Sequence, residues 1–408
     1  MKAVVLAAGE GTRMRPLTAN LPKPLLPVAG KPFLRHTLEA LHTAGIRELG
    51  ILIGWQGHRI RESFGDGRGL GLSIAYEEQA ERLGTAHAIG CMRGHVDGPF
   101  ISVNGDVVVS GEALSELVGY HRKFRGPIVA LAEVSNPSSF GVVEVEDGKV
   151  VSLEEKPRHP KSHLINAGIY VFDEDIFPLI DATPKSARGE YEITDTIQAL
   201  MAKRDVYGFP LPGEWIDVGR PWDLLRANAA LLAPLKGATH GEVDSGATLV
   251  GEVLVEEDAD VRRGSYIEGP TIIGPGAEIG PNCYIRPSTS IGPKAKVGAA
   301  CEVKNSILMA GAHVPHQNYV GDSILGERCN LGAGTKIANL RLDEAPVKVV
   351  FRGVEVDTGL RKLGVIMGDD VKVGINASID PGTIIGEESH LGPGARVRGN
   401  IAPRSRIF

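Results

Sequence analysis

Ten aliphatic or methionine residues, Val255, Val261, Ile267, Ile273, Ile279, Ile285, Ile291, Val297, Val303 and Met309, stand six apart without interruption. At 42% hydrophobic usage, such a run arises by chance with a probability on the order of 10⁻⁴. Four residues after each of the first eight comes a small one: Ala259, Ser265, Thr271, Ala277, Cys283, Thr289, Ala295 and Cys301. The same phase resumes at Leu325, Leu331 and Ile337, and again at Met367, Val373, Ile379, Ile385, Leu391 and Val397, commonly followed by Gly. The unit is aliphatic-Gly-x-x-small-x, the hexapeptide pattern of a parallel β-solenoid, with the small residue where a tight coil leaves least room. Cys283, Cys301 and Cys329 all take that small position, which marks them as packing residues rather than nucleophiles. With Cys91 they are the only cysteines, without the CxxC spacing of a zinc site and too few to staple the chain.

Before this array the pattern is different. The tryptophans, Trp55, Trp215 and Trp222, all precede residue 240. Strand-like runs at Ala3–Ala8, Leu49–Ile53 and Phe100–Val103 alternate with a helical stretch at Phe33–Ala44. That alternation predicts a mostly parallel α/β sheet of Rossmann-like type. The expected division is a domain over 1–233, a linker over 234–246 and a β-helix over 247–408. The charge balance of 44 basic to 50 acidic residues, with no Lys/Arg run, argues against a nucleic-acid binder. No apolar stretch approaches a membrane span, and the Ala3–Ala8 run is too short for a signal peptide. A soluble, cytoplasmic protein is expected, without membrane or nucleic-acid partners. A long column flat on its flanks predicts closed homo-oligomerisation, with sites shared between chains.

Chemistry first appears at the N-terminus. Leu6-Ala-Ala-Gly-Glu-Gly-Thr-Arg-Met14 follows a strand, so Gly9 and Gly11 can bring backbone amides close to a phosphate and Arg13 can clamp one. The loop lacks the third glycine of the dinucleotide fingerprint and the Gly-Lys-Ser/Thr ending of a P-loop. Lys23 lies between Pro22 and Pro24, a cation held by a stiff backbone where it can meet charge developing on a phosphate.

The run LAAGEGTRMRPLT followed by PKPLLPVAGKP resembles the signature of sugar-1-phosphate nucleotidylyltransferases. Five further segments agree in order: Gln79 with Leu83-Gly84-Thr85-Ala86; Asn104-Gly105-Asp106; Glu155-Lys156-Pro157; Asn166-Ala167-Gly168-Ile169-Tyr170 with Gly189-Glu190-Tyr191-Glu192; and Trp215-Ile216-Asp217. The resemblance implies that Leu6, Ala8, Gly9, Gly11, Thr12, Gln79, Gly84 and Thr85 bind the nucleotide. It likewise implies that Asn104, Gly141, Glu155, Lys156 and Asn166 bind the sugar phosphate, and that Asp106 and Asp217 hold Mg²⁺. Joining two polyanions in line needs positioning and charge neutralisation rather than a protein nucleophile. Arg13 and Lys23 are accordingly the expected catalytic cations.

A second candidate site interrupts the array. Met309 and Leu325 are 16 residues apart, so the hexad register is expected to break around His313, His316 and Tyr319. His313 still holds the small position of the last hexad, whereas His316 lies outside any hexad and is preferred as a reactive group. The array is similar to the left-handed β-helix of the acetyltransferase half of bifunctional glucosamine-1-phosphate acetyltransferase/uridylyltransferases, and the whole chain resembles the archaeal form. If three hexads close a coil, as in that family, a coil spacing of ~4.8 Å gives a column of roughly 30 Å. The resemblance implies His316 as general base, with Arg286 and Lys304 as phosphate clamp. Tyr319, Asn330, Asn339 and Lys362 follow as acceptor or acetyl-CoA contacts. A trimer, acetyl-CoA, and UTP or dTTP are implied as well.

The chain departs from bacterial members in two places. Leu340 stands where they have a tyrosine, and an inserted segment over 341–361 reads as a hairpin projecting from the column. The loop Arg15 to Leu21 is more like that of glucose-1-phosphate thymidylyltransferases. Glucosamine- and galactosamine-1-phosphate both stay open as acceptors, as do uracil and thymine as bases. The alternative function is a monofunctional glucose-1-phosphate thymidylyl- or uridylyltransferase whose column serves only oligomerisation.

Overall fold

The computed structural model describes residues 1–351 and 353–408. These form two compact units, one of Met1–Glu10, Pro22–Leu25 and Phe33–Asp217, the other of Gly11–Leu21, Leu26–Pro32 and Val218–Phe408.

The first unit is a nine-stranded sheet whose strands are β1 (Lys2–Leu6), β2 (Glu48–Ile53), β3 (Ser73–Glu78), β4 (Phe100–Asn104), β5 (Ile128–Glu133), β6 (Gly141–Glu146), β7 (Lys149–Glu155), β8 (Leu164–Phe172) and β9 (Tyr207–Pro210). Their order across the sheet is β3-β2-β1-β4-β8-β5-β9-β7-β6. The run β3-β2-β1-β4 is parallel. Val4, Val5, Ile51 and Leu52 are buried there because helices cover both faces, so those strands read as unbroken apolar runs. Phe33–Thr43 and Gly111–Phe124 supply Leu34, Leu38, Leu114 and Leu117 to one core, while Ile89, Phe177, Ile197 and Leu200 fill the other. The expectation of a mostly parallel sheet holds for this run and for the β5–β9 pair, and not for the strands between and beyond them. β8 runs antiparallel to both β4 and β5, and β6 and β7 form a hairpin about Asp147-Gly148; among the described residues no α-helix intervenes between β5 and β8, and connections without a crossover helix suit antiparallel neighbours.

The second unit is a parallel β-helix of three sheets with nine, nine and eight strands. Each coil places an aliphatic residue inside, such as Val255, Ile273, Ile291 or Val297, and the small residues Ala259, Ala277, Cys283, Thr289, Ala295 and Cys301 are buried beside them. Thr271 and Thr289 satisfy their buried hydroxyls by donating to the carbonyls of Glu268 and Arg286, each at 2.7 Å.

Four sequence expectations need correction. The segment 234–246 is not a linker, because Ala238–Thr239 and Glu242–Val243 already pair with the strands of the next coil. The preceding helix, Asp223–Leu232, also belongs to this unit. Its buried Asn228 accepts from the Ala29 amide and the Ser290 hydroxyl, both at 2.8 Å, and donates to the Ser288 carbonyl at 2.9 Å.

The register does not break around His316. Ile291 pairs with Leu308, Val303 with Val320 and Leu308 with Leu325. Coils here are one residue short, and the missing residues fall at the corners between Val303 and Leu308 and between Val320 and Leu325. Leu308 rather than Met309 is thus the hexad residue, and Ala312 rather than His313 takes the buried small position. His313 lies on the sheet face in register with Lys296 and Asn330.

The inserted segment is the expected hairpin, Lys348–Phe351 paired with Val354–Asp357; Arg352 lies outside the described residues. It does not project freely. Val347 and Val349 are buried, Asn400 donates to the Val350 carbonyl at 3.3 Å, and a side chain on Gly382 would collide with Val347.

Burial pushes the Cys283 and Cys329 thiols up to about 12 and raises Cys301 as well, leaving negligible thiolate at neutral pH. Titration of the native protein with a thiol reagent at pH 8 is expected to find at most one reactive cysteine, half-exposed Cys91. The other three should appear only on denaturation.

Candidate active sites

Open α/β sheets bind ligands beyond the carboxyl ends of their strands where the winding direction reverses. That point lies between β1 and β4, since β2 flanks β1 on one side and β4 on the other. The strands end on Leu6 and Asn104, which are in register. Gly105 donates its amide to the Leu6 carbonyl at 2.9 Å, and a Cβ on Gly105 would sit 2.8 Å from that oxygen. Gly9 faces open space instead, with no heavy atom within 4 Å of a Cβ there.

Beyond β4, Val107–Val108 pairs antiparallel with Ile216–Asp217, Asp217 opposite Val107. This short ladder carries Asp106 and Asp217, more than a hundred residues apart in sequence, to the same end of the sheet. Lys23 is buried and its ammonium lies 2.7 Å from an Asp106 carboxylate oxygen. Gly11, Thr12 and Arg13 fall within the second compact unit. There Gly11 adopts φ +66°, opening the turn Thr12–Met14, and Arg13 is exposed.

The segment after β3 is held from two sides. The Gln79 amide nitrogen donates to the Ile53 carbonyl at 2.8 Å. Tyr191 donates to the Leu83 carbonyl at 2.7 Å, Ala86 donates to the Tyr191 carbonyl at 3.0 Å, and Thr85 Oγ1 accepts from the Ile193 amide at 3.1 Å. Gly84 has φ +108°, and a Cβ on it would lie 2.5 Å from the Tyr191 oxygen. Only glycine fits that approach.

A third group converges on Gly141, where a Cβ would find Thr194 at 3.2 Å, Glu155 at 3.3 Å and Asn166 at 3.5 Å. Asn166 donates to the Tyr170 hydroxyl at 2.7 Å and accepts from Gly168 at 3.0 Å. Gly168, at φ +71°, lets this bulge close on the Asn104 amide, which a side chain would strike. Lys156 reaches Glu155 at 3.2 Å. Sequence reasoning missed Arg188, which bridges Glu155 at 3.1 Å and Glu192 at 2.8 Å; its signal was its place immediately before the Gly189-Glu190-Tyr191 motif. Burial and the charges of Glu192 and Glu155 raise the nearby Asp195 carboxyl.

On the column, Ile285 pairs with Val303 and Lys304 with Gly321, so Arg286, Lys304 and Gly321 follow one another up a single face. Gly321 is where a Cβ would meet Asn339 Nδ2 at 2.6 Å and Tyr319 Oη at 2.7 Å; its absence lets those two groups lie over the strand. Beside it Asp322, buried at a shortened corner, accepts from Lys304 at 3.3 Å, from Asn305 at 2.8 Å and from Asn339. Asn339 also donates to Tyr319 Oη at 3.2 Å. Asp322 and Asn305 were missed in the sequence because one-residue corner deletions are invisible until the coils are superposed. Arg286, one coil below, is paired with Glu302 at 3.0 Å, its guanidinium over Tyr284. Lys304, Tyr319 and Asn339 are thus brought together. Asn330, on a neighbouring sheet, and exposed His316 and Lys362 stand outside this network, and the His316 imidazole has no hydrogen-bond partner among the described residues.

Residues 2–233 match the model of the nucleotidyl transferase family. Residues 267–374 match the GMPPB C-terminal domain, and 364–399 match the bacterial transferase hexapeptide (six repeats). The chain is 43% identical to the bifunctional protein GlmU of Methanocaldococcus jannaschii, over all of this chain and 97% of that one. It is 38% identical to the bifunctional sugar-1-phosphate nucleotidylyltransferase/acetyltransferase of Sulfurisphaera tokodaii, over 98% of both. Among solved structures, a Bacillus anthracis protein described as a glucose-1-phosphate thymidylyltransferase, in complex with a sucrose, superposes with a TM-score of 0.54 at 31% identity, covering 59% of this chain and 98% of its own.

Removing the Asp322 carboxylate leaves a partly buried ammonium and two amides without their acceptor. Asp322→Ala is expected to destabilise the protein by about 3 kcal/mol in urea unfolding, whereas exposed Arg263→Ala should change it by less than about 0.5 kcal/mol.

Proposed function

The chain belongs to the family of bifunctional sugar-1-phosphate nucleotidylyltransferase/acetyltransferases, and on that premise we propose that it makes UDP-N-acetylglucosamine in two steps. The β-helix domain acetylates the amine of glucosamine-1-phosphate, and the α/β domain then transfers UMP from UTP to the product, releasing pyrophosphate. The observation that carries the bifunctional reading is the Lys304–Asp322–Asn339–Tyr319 network, since a column serving only as a scaffold has no use for a buried carboxylate holding a cation and an amide at one corner. The match of 267–374 to the GMPPB C-terminal domain favours the second reading, a nucleotidylyltransferase with a structural column.

In the acetyl transfer, His316 takes a proton from the sugar ammonium as the amine attacks the thioester carbonyl. The N–C bond forms, the C–S bond breaks, and CoA leaves as its thiol; such base catalysis contributes about 10² to 10⁴ in rate. Arg286 and Lys304 hold the sugar's phosphate through charge-assisted hydrogen bonds. Tyr319, Asn330, Asn339 and Lys362 contact acceptor and acetyl-CoA. The column is left-handed and trimeric in this reading, and a second copy completes the face on which His316 and Lys362 stand exposed. Galactosamine-1-phosphate is a further acceptor.

In the nucleotidyl transfer, a phosphate oxygen of the acetylated sugar attacks the α-phosphorus in line and the bond to pyrophosphate breaks. Gln79, Gly84 and Thr85 read the base, while Leu6, Ala8, Gly9, Gly11 and Thr12 line the nucleotide. Asn104, Gly141, Glu155, Lys156 and Asn166 orient the sugar phosphate, and Arg13 and Lys23 neutralise the departing pyrophosphate. Asp106, beside buried Lys23, and Asp217, in register with the neighbouring Val107, suit Mg²⁺, which takes one or two protein carboxylates and completes its shell with water and phosphate oxygens; these two would hold it. When bound, it supplies positive charge between the two phosphates. In this reading the enzyme is cytoplasmic.

Thiol release from acetyl-CoA with glucosamine-1-phosphate is the decisive assay. Wild type should release CoA, and His316→Ala should lose at least ~10² of that rate; no release with either amino sugar would leave the structural column. Separately, Asp106→Asn and Asp217→Asn should abolish Mg²⁺-dependent pyrophosphate release while acetylation continues, and retained release would refute the metal roles.

A further inference from the structure

Gln79 directly follows β3 with its side chain buried, and its side-chain amide nitrogen Nε2 lies 2.9 Å from His87 Nδ1. His87 is on the turn of helix immediately after Gly84 and stacks on Tyr191, ring centroids 6.4 Å apart. A carboxamide has two unlike ends, one acceptor and one donor, so whichever end is engaged by a neighbour decides which faces a ligand. Nε2 can only donate. Nδ1 must therefore be the unprotonated nitrogen of the ring, and the ring proton resides on Nε2. His87, unlike Gln79, lines a cavity of about 400 Å³ with Leu83, Gly90, Cys91 and Tyr191, so that proton has room to meet a water or the Cys91 sulfur, 4.0 Å away.

We propose that His87 is the positioning residue for base selection: by accepting from Gln79 Nε2 it turns the Gln79 carbonyl oxygen toward the base, and thereby selects a pyrimidine carrying an N3–H. Uracil and thymine offer that donor. Cytosine offers an acceptor at N3, which would face the Gln79 oxygen lone pair to lone pair. The uracil methyl position plays no part, so this pair separates UTP and dTTP from CTP and not from each other. The inference rests on Gln79 as the base reader.

The test is competition of UTP against CTP in pyrophosphate release, with three variants. Gln79→Ala removes the reader. His87→Phe keeps a ring against Tyr191 but removes the acceptor. His87→Asn restores one, because Asn Oδ1 falls near the position of His Nδ1. The UTP-over-CTP ratio of kcat/KM is expected to fall by ~10-fold or more in Gln79→Ala and in His87→Phe and to return toward wild type in His87→Asn, with the change in His87→Phe falling on KM rather than on kcat. Should Gln79→Ala lose the preference while His87→Phe keeps it, the proposal is overturned and the base reader stands. Should neither variant move the ratio, Gln79 is not the reader and the proposal falls with it. A proportional loss of kcat for both nucleotides in His87→Phe, unrelieved in His87→Asn, would mark His87 as a packing residue and also overturn it.

Discussion

The interior of the β-helix is the constraint from which its other features follow. Apart from the coil that carries the hairpin, each coil closes on itself within 16 to 18 residues, and all stack through parallel pairing. Its cross-section admits one aliphatic side chain and one small one per side, and residues such as Ile285 and Ala295 are fully buried there. Chemistry is therefore confined to the outer faces and corners. A corner can lose a residue without disturbing the interior, as it does after Val303 and after Val320. Lys304, Asn305 and Asp322 sit at those two corners. A shortened corner is where a regular scaffold can draw polar side chains of successive coils into one buried network.

The α/β unit follows a different rule. Its central parallel strands β1, β2 and β4 are apolar over most of their length because both faces are covered, so little in them marks a site before their last residues. The site arises where the sheet changes direction, between β1 and β4, and from a two-residue ladder that brings Asp217 back beside Asp106. Glycines there are required by contact rather than by flexibility. Gly84 and Gly168 both lie at positive φ with a neighbour where a Cβ would be. Removing either contact would loosen the polar group beside it, Thr85 or Asn104.

Much of this was readable from residues alone. The six-residue period located the column and its inward residues, and three cysteines fell where a small residue must. The ordered motifs located the residues that converge at the end of the parallel strands. Three things were misread for physical reasons. Met309 and His313 were assigned by counting, and a deletion at the preceding corner shifts the count by one. The stretch 234–246 has the composition of a linker, yet backbone pairing does not depend on composition, and it begins the first coil. The hairpin of 341–361 was legible as a hairpin, but Val347 and Val349 lie against the column because they are the apolar face of a strand pair with no other cover.

Periodicity determined the architecture because burial repeats with the geometry of the element: every sixth residue had to be aliphatic for the column to fill, and the central parallel strands of the sheet had to be apolar on both sides. What the tertiary structure alone decided is which polar groups meet. Lys23 finds Asp106, Asp322 gathers Lys304 and Asn339, and Gln79 donates to His87. Those partners are separated in sequence by distances unrelated to either period, and the choice among them depends on corner lengths, strand register and side-chain direction, quantities that exist only once the chain has folded.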